Sequence, residues 1–393
     1  MELREGCKQT ETGIIPNDWT IKKIGDFANV TSGGTPSTSR GDYWGGEIKW
    51  MSSGELNYKR VVDVVGRITQ KGLANSATKI LPKQCVLIGL AGQGKTRGTA
   101  AINYIDICTN QSIAAIHPSS VVSNEFLYHN LDNRYNELRS LSTGDSGRGS
   151  LNLTIIKNID ICMPSKHSEQ VAIANALSGT DTWIQSLTSL IAKKQNVKQG
   201  TIQTLLNPYK NGKLKDGWEV KKLGDFLNYE QPTNYLVSSA EYNDNNSIPV
   251  LTAGKTFVLG YTNEEFGVYE FDLPVIIFDD FTTASKFVDF PFKAKSSAMK
   301  ILKRKNEKVN LRFIFEVLQM IDYPLGDHKR HWIGEFQYLN IFVPNDENEQ
   351  TRIADILTDM DEEISILKGK LIKAKQVKQG MMQNLLTGKI RLV

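Results

Sequence analysis

Several stretches of this 393-residue chain carry residue types at spacings that could do chemistry. Gly89-Leu-Ala-Gly-Gln-Gly-Lys-Thr96 fits GxxxxGK[ST], the loop whose backbone amides cradle nucleotide phosphates, and it follows an apolar run, Val86-Leu-Ile88. That chemistry also needs a helix opening at the end of the loop, so that its first amides hold the phosphates. The continuation, Arg97-Gly-Thr-Ala-Ala-Ile-Asn-Tyr104, reads instead as a turn into another strand. A P-loop nucleotide-binding protein using Gly89–Thr96 is therefore the alternative reading. The favoured one is a loop that presents Gln93, Lys95 and Arg97 to a DNA groove.

Other patterns are weaker. Asp42…Glu47-Ile-Lys49 has the carboxylates and lysine of a metal-dependent nuclease, but nothing else acidic gathers nearby. Asn207-Pro-Tyr209 lacks one proline of the Asn-Pro-Pro-Tyr of adenine methyltransferases, and no glycine-rich cofactor loop opens a Rossmann-like unit. Asp279-Asp280 could accept a hydrogen bond from cytosine N4 or simply cap a turn. His328-Lys-Arg-His331 is a lone HxxH, and no metal is expected there. Cys7, Cys85, Cys108 and Cys162 form no CxxC pair and read as free thiols in a reduced, cytoplasmic setting. With no nucleophile–base–orienter set in view, no catalysis and no cofactor bound by this chain are expected. No apolar run reaches the length of a membrane span, and the N-terminus is no signal peptide. A net charge of +4 is modest for a protein that grips nucleic acid alone, so a partner is expected to supply part of the phosphate grip.

The elements that must position these residues come in two copies. EQVAIANAL…VKQGTIQTLL from Glu169 returns as EQTRIADIL…VKQGMMQNLL from Glu349, at an offset of 180 residues. Trp19-Thr-Ile-Lys-Lys-Ile-Gly-Asp-Phe27 returns as Trp218-Glu-Val-Lys-Lys-Leu-Gly-Asp-Phe226. Apolar residues at 3–4 spacing predict one helix stripe through Ile173, Leu177, Ile184, Leu187, Ile191 and Leu205. A second runs through Ile353, Leu357, Ile364, Leu367, Leu371 and Leu385, with a seven-residue jump from Ala374 to Met381. Neither stripe is stable alone in water, so the two helices are expected to pair. Before each helix, short apolar runs predict strands at Ile48–Met51, Val86–Ile88 and Ile159–Pro164, then at Ile248–Leu251, Val275–Phe278 and Leu339–Pro344. Short helices are expected at Phe126–Leu131 and Phe313–Leu318. The framework recurs while the loops between differ almost completely.

The resulting fold class is α+β: two globular α/β domains joined by two long antiparallel coiled-coil-like helices, with internal pseudo-two-fold symmetry. The boundaries fall at 1–165, 166–208, 209–346 and 347–393. This plan, with Gln111-Ser-Ile-Ala-Ala-Ile116, Ile15-Pro-Asn-Asp-Trp19 and the terminal Leu-Leu-Thr-Gly-Lys-Ile-Arg391, resembles the specificity subunit of a type I restriction–modification system over nearly the whole chain. Leu205-Leu-Asn-Pro-Tyr209 departs from the Leu385-Leu-Thr-Gly-Lys389 of the second copy.

The resemblance implies two target recognition domains, each reading one half of a bipartite, asymmetric site in double-stranded DNA, with central helices that fix the number of unread base pairs. It implies two methyltransferase subunits forming an adenine-N6 methylase that uses S-adenosylmethionine, and motor–nuclease restriction subunits that use ATP and Mg. The second domain looks like those that read a 5′-GAA half-site. Candidate DNA-contacting residues are Thr35, Ser52, Lys95, Arg97 and Arg148 in the first domain. In the second they are Lys255, Thr282, Thr283, Lys286, Lys295, His328, Lys329 and Arg330. Arginine and lysine suit guanine edges and phosphates, and serine or threonine can bond base or backbone. The lysine run Lys300, Lys303, Arg304, Lys305, Lys308 reads as a solvated loop.

Overall fold

A computed structural model describes residues 5–11, 13–92, 94–142, 149–254, 256–323 and 331–392. The chain forms two compact units: Met1–Thr188 with Gly369–Val393, and Ser189–Lys368. Each unit thus takes one predicted α/β domain together with part of each long helix.

In the first unit, Trp19–Lys23 pairs antiparallel with Asp160–Pro164, joining the domain's start to its end. A five-stranded sheet runs in the order Val30–Ser32, Ile113–Ile116, Val86–Gly89, Ala100–Asn103, Arg60–Val61. One face, with Ile88, Ile102, Ala114 and Ile116, packs on Phe126, Leu127 and Leu131 of the helix Asn124–Asn133. The other, with Val61, Leu87, Ala101, Ile113 and Ala115, packs on Met51, Leu56 and Leu81. Burial on both faces explains why the central strands read as unbroken apolar runs instead of alternating. A smaller sheet sets Trp44–Met51 between Gly66–Ile68, antiparallel, and Cys108–Thr109, parallel.

The second unit repeats the scheme. Trp218–Lys222 pairs with Asn340–Pro344. Leu227–Glu230, Met299–Arg304, Val275–Asp279 and Ser285–Val288 form a four-stranded antiparallel sheet. Ile276, Phe278 and Leu302 meet Phe313, Ile314 and Val317 of the helix Leu311–Gln319. The small sheet again has one antiparallel and one parallel neighbour about its centre, Ile248–Leu251. Both short helices start at a side-chain cap: Ser123 accepts from the Phe126 amide and Asn310 from that of Phe313.

The long helices span His167–Leu205 and Glu347–Leu385, 39 residues each. At 1.5 Å per residue each is about 58 Å long. Within the first unit, the start of one lies antiparallel to the end of the other. Glu169 pairs with Arg391 at 2.5 Å and Asp181 with Lys378 at 2.6 Å, while Thr180 Oγ1 reaches Met381 Sδ at 3.4 Å. Within the second unit, Lys194 pairs with Glu363 and Lys198 with Asp361, both at 2.7 Å. As one residue number rises, its partner's falls in step.

Of the predicted stripe, Ile173, Leu177, Leu187, Ile191, Ile353, Leu357, Ile364, Leu367 and Leu385 are buried, while Ile184, Leu205 and Leu371 are half-buried. Ile202, Met382 and Leu386 join them in the core. The jump after Ala374 is filled by Lys378, whose ammonium turns inward to Asp181. Its counterpart by the 180-residue offset is the Lys198–Asp361 pair.

Each pair sits in a larger network. Asp361 also binds Arg312, which bonds Glu316 at 2.6 Å. In the first unit, Arg60 bonds Glu125 at 2.8 Å and Ser178 at 2.8 Å, and lies 3.7 Å from Asp181. His129 Nε2 lies 3.0 Å from Ser178 Oγ, and burial, reinforced by Lys378 and Arg60, pushes that histidine down to about 3.

Two outcomes are expected. Asp361→Ala removes the partly exposed carboxylate that Lys198 and Arg312 share, leaves both cations on Glu316, and costs about 2 kcal/mol through the lost charged hydrogen bonds. Lys198→Met leaves Asp361 held by Arg312 and costs about 1 kcal/mol or less. Denaturant midpoints rank the two, and equal losses would refute the shared-acceptor account. For His129, the unfolded chain takes up a proton below the ordinary value of 6.5, whereas the folded chain does so only near 3. Stability is therefore full above pH 6.5 and falls by up to ~1.4 kcal/mol per pH unit between those limits. Titrating the unfolding free energy of His129→Asn against the native chain should show that slope reduced in the variant.

Candidate nucleic-acid interface

Both units place a loop at the same point of the fold, between two adjacent antiparallel strands of the main sheet. In the first unit it joins Val86–Gly89 to Ala100–Asn103. Past Thr96 the chain turns at Gly98, whose φ of +79° suits glycine, and enters the strand from Ala100. The Gly98 amide donates to the Gly89 carbonyl and the Gly89 amide to the Thr99 carbonyl, closing a hairpin. Among the described residues no helix opens where a phosphate-binding loop requires one, so the nucleotide alternative lacks its central feature.

The hairpin is held from outside. Arg139 donates to the Gly94 carbonyl at 2.6 Å, and the Tyr135 hydroxyl donates to the Lys95 carbonyl at 3.2 Å. Lys95 itself is exposed. Arg97 is not: its side chain is buried and donates to the Gly149 carbonyl. The expectation that Arg97 faces a groove is corrected accordingly, because its guanidinium is turned into the protein, where it braces the loop. Thr35 is exposed and donates to Gln111 Oε1 at 2.6 Å. Ser52 is half-buried, with its amide and hydroxyl both bonded to Glu55 at the start of the turn Ser53–Tyr58.

In the second unit the loop is the tip between Val275–Asp279 and Ser285–Val288. Thr282 is exposed, and Thr283 is half-buried with φ +59°. Lys286 is exposed on the returning strand. Lys295 is exposed beyond the small sheet, its ammonium 5.7 Å from the Tyr242 ring centre. The tip thus brings Thr282, Thr283 and Lys286 together, while Lys295 stands on another element. Gln93, Arg148, Lys255, His328, Lys329 and Arg330 lie outside the described residues.

Asp279 and Asp280 divide the two roles considered for them. Asp279 Oδ1 accepts from the Phe281 amide at 2.9 Å and the Thr282 amide at 3.2 Å, so it caps the turn. Asp280 is buried, accepts from the Trp332 amide at 2.9 Å, and lies 3.3 Å from the Lys300 ammonium. Lys300 is therefore no solvated lysine: it is buried in Met299–Arg304, 5.8 Å from the Tyr229 ring centre. Lys303 pairs with Glu230 and Arg304 with Glu307, while Arg304, Lys305 and Lys308 are exposed, so the end of the run is solvated as expected. The sequence signal for Lys300 was its place inside an apolar run, Met299 to Leu302, which outweighs the basic residues that follow.

The nuclease-like pattern also dissolves. Asp42 pairs with Arg40 at 3.1 Å and Lys71 at 2.5 Å, which hold its carboxyl well below the usual carboxylate range, and Lys49 turns to Asp63. Among the described residues, no group of three His, Cys, Asp or Glu side chains is placed to hold a metal. The four cysteines are free, and burial pushes the Cys85 thiol up to about 12, far from a reactive thiolate.

A framework built twice, carrying unlike loops at equivalent points, defines an internally duplicated two-domain binding protein. The chain belongs to the family described as "Type I restriction modification DNA specificity domain", whose profile matches residues 16–199 and 215–376. It is 50% identical over 148 residues to the type I restriction enzyme EcoR124I/EcoR124II specificity subunit of Escherichia coli, a match covering 36% of this chain and 37% of that protein. It is 32% identical over 254 residues to the MjaIX specificity subunit of Methanocaldococcus jannaschii, covering 58% of this chain and 56% of that one. In these two matches the chain spans less than two thirds of its relative's length. A third relative, the MjaVIII specificity subunit of the same archaeon, matches at 23% identity over 429 residues, covering 99% of this chain and 96% of its own. The fold is shared with the crystal structure of a type I restriction–modification S subunit from M. genitalium: TM-score 0.70 at 15% identity, covering 98% of each chain.

Lys300→Met leaves Asp280 buried without its cation, and a loss of about 3–5 kcal/mol is expected. Adding Asp280→Asn removes the stranded charge while an amide oxygen still meets the Trp332 amide, so the double variant should recover part of the loss. Urea unfolding of both variants checks this, and a double variant no more stable than the single one would refute it.

Proposed function

We propose that this chain is the non-catalytic, sequence-reading subunit of a type I restriction–modification complex. Each unit's recognition domain reads one half of a bipartite, asymmetric DNA site, and the residue count of the long helices sets the number of unread base pairs. The carrying observation is that the main-sheet loop differs wholly between the units, while its supporting strands, short helix and helix pairing recur. A repeated frame with one variable reading surface per copy suits a target with two different halves. On this reading two methyltransferase subunits supply adenine-N6 methylation with S-adenosylmethionine, and motor–nuclease subunits supply ATP- and Mg-dependent restriction. The second domain reads 5′-GAA. The modest net charge fits a reader whose partners share the phosphate contacts.

Co-expression with the cognate methyltransferase subunit, followed by mapping of methylated adenines, tests the reading. A two-part asymmetric motif with a constant gap is expected, and methylation without such a motif would refute it. Inserting four residues into one long helix, about 6 Å at 1.5 Å per residue, should widen the gap by about one to two base pairs. An unchanged gap would refute the measuring role alone.

A further inference from the structure

The segment Asn263-Glu-Glu-Phe-Gly-Val-Tyr-Glu-Phe-Asp272 of the second unit has no part in the reading tip. It follows the small-sheet strand Val258–Thr262 and contains four carboxylates and no basic residue. The stretch after the corresponding strand of the first unit, Thr69–Leu81, has two lysines, no acidic residue and no aromatic ring. Phe266 and Phe271 are 92% and 77% exposed, among the most exposed apolar side chains described. Single exposed apolar residues are ordinary, but two phenylalanines this far out on one short segment are a surface feature to be explained.

The backbone beneath them is held on both sides. Lys293, buried, donates to the Phe266 carbonyl at 2.6 Å and pairs with Glu264 at 2.9 Å. Glu264 in turn accepts from the amides of Ser238 and Ser239 at 3.0 and 2.9 Å. Gly267 sits at φ +68°, and a Cβ there would come within 2.6 Å of the Asn234 carbonyl oxygen. Tyr269 exchanges both backbone hydrogen bonds with Phe292 and stacks on its ring. The phenylalanines are thus presented on a pre-ordered turn, which lowers the entropy lost when they are covered.

Charge decides what covers them. Glu265 and Glu270, each immediately before a phenylalanine, are exposed and have no cation among the described residues. Phosphates would be repelled here. A protein surface with an apolar socket rimmed by lysine or arginine would gain from both features, since aromatic anchors carry much of the energy of such contacts.

We propose that this acidic–aromatic ridge is a docking surface for a methyltransferase subunit of the complex. The inference rests on the proposed function: an adenine methylase must stand beside the half-site that this unit reads, so it is the protein required to touch the unit directly. The ridge's absence from the first unit makes the two methyltransferase contacts unequal, with the second unit holding the tighter one.

The test uses the full chain and its cognate methyltransferase subunit. Phe266→Ala/Phe271→Ala, with both side chains in solvent, should leave thermal unfolding and the affinity for duplex DNA unchanged while weakening methyltransferase binding by tenfold or more. Glu265→Lys/Glu270→Lys should weaken the same binding and flatten its salt dependence. Unchanged methyltransferase affinity in the phenylalanine variant overturns the proposal while leaving the reading function standing. A loss of DNA affinity in that variant overturns it in favour of a DNA contact. No assembly of the unaltered chain with the methyltransferase removes both readings.

Discussion

The structure turns on a lysine placed where a helix stripe calls for leucine. Lys378 and Lys198 occupy the apolar seam and direct their ammonium groups to Asp181 and Asp361 on the facing helix. Leucine on leucine would hold two helices together in several registers, because apolar contact is non-directional and a slip by a turn costs little. A half-buried charge tolerates only the register that gives it a partner, since a slip strands it in an apolar seam. The networks around the pairs carry that constraint into the recognition domains. Arg60 lies against Asp181 in the first unit, and Arg312 binds Asp361 in the second. Each domain is thereby keyed to the same carboxylate that sets the helix register. Helix pairing and domain seating within a unit are one interaction, repeated.

A second principle governs the loops. In both units a buried cation braces the segment at the end of the main sheet: Arg97 through the Gly149 carbonyl, Lys300 through Asp280. Lys293 does the same beneath the aromatic ridge. A long side chain that ends in a buried charge fixes the backbone it bonds, leaving neighbouring residues free to vary without loss of order. That division lets one framework carry unlike surfaces. It also makes a poor guide of the rule that basic residues near a loop face nucleic acid.

The duplicated frame was legible because repetition in sequence needs no energetic argument. The strands at Val86 and Val275, the short helices at Phe126 and Phe313 and the closing strands at Ile159 and Leu339 all fall within a few residues of their predicted places. The helix stripe was legible for the same reason, apart from Lys198 and Lys378. There the apolar pattern skips, from Ile191 to Leu205 and from Ala374 to Met381, because pairing across two helices is a tertiary fact with no local trace. The reading surface was much less legible. Arg97 and Lys300 are basic residues of the kind that contact phosphate, yet both point inward, and side-chain direction in a loop depends on carbonyls and carboxylates distant in sequence. Asp279 and Asp280, adjacent and identical, do different work: one caps a turn and the other anchors a lysine.

Those inward cations bear on the chain's modest charge of +4. Lys198, Lys293, Lys300, Lys303, Lys378, Arg60, Arg312 and Arg391 are all engaged with carboxylates. These eight of the 47 lysines and arginines hold the fold and are unavailable for counterion release on DNA. On the proposed function, a reader so built would gain specificity from a few placed groups, not affinity from a charged face. Its grip on a duplex would then depend on what assembles with it, and the acidic–aromatic ridge proposed on one unit would make that assembly begin at one end of the site.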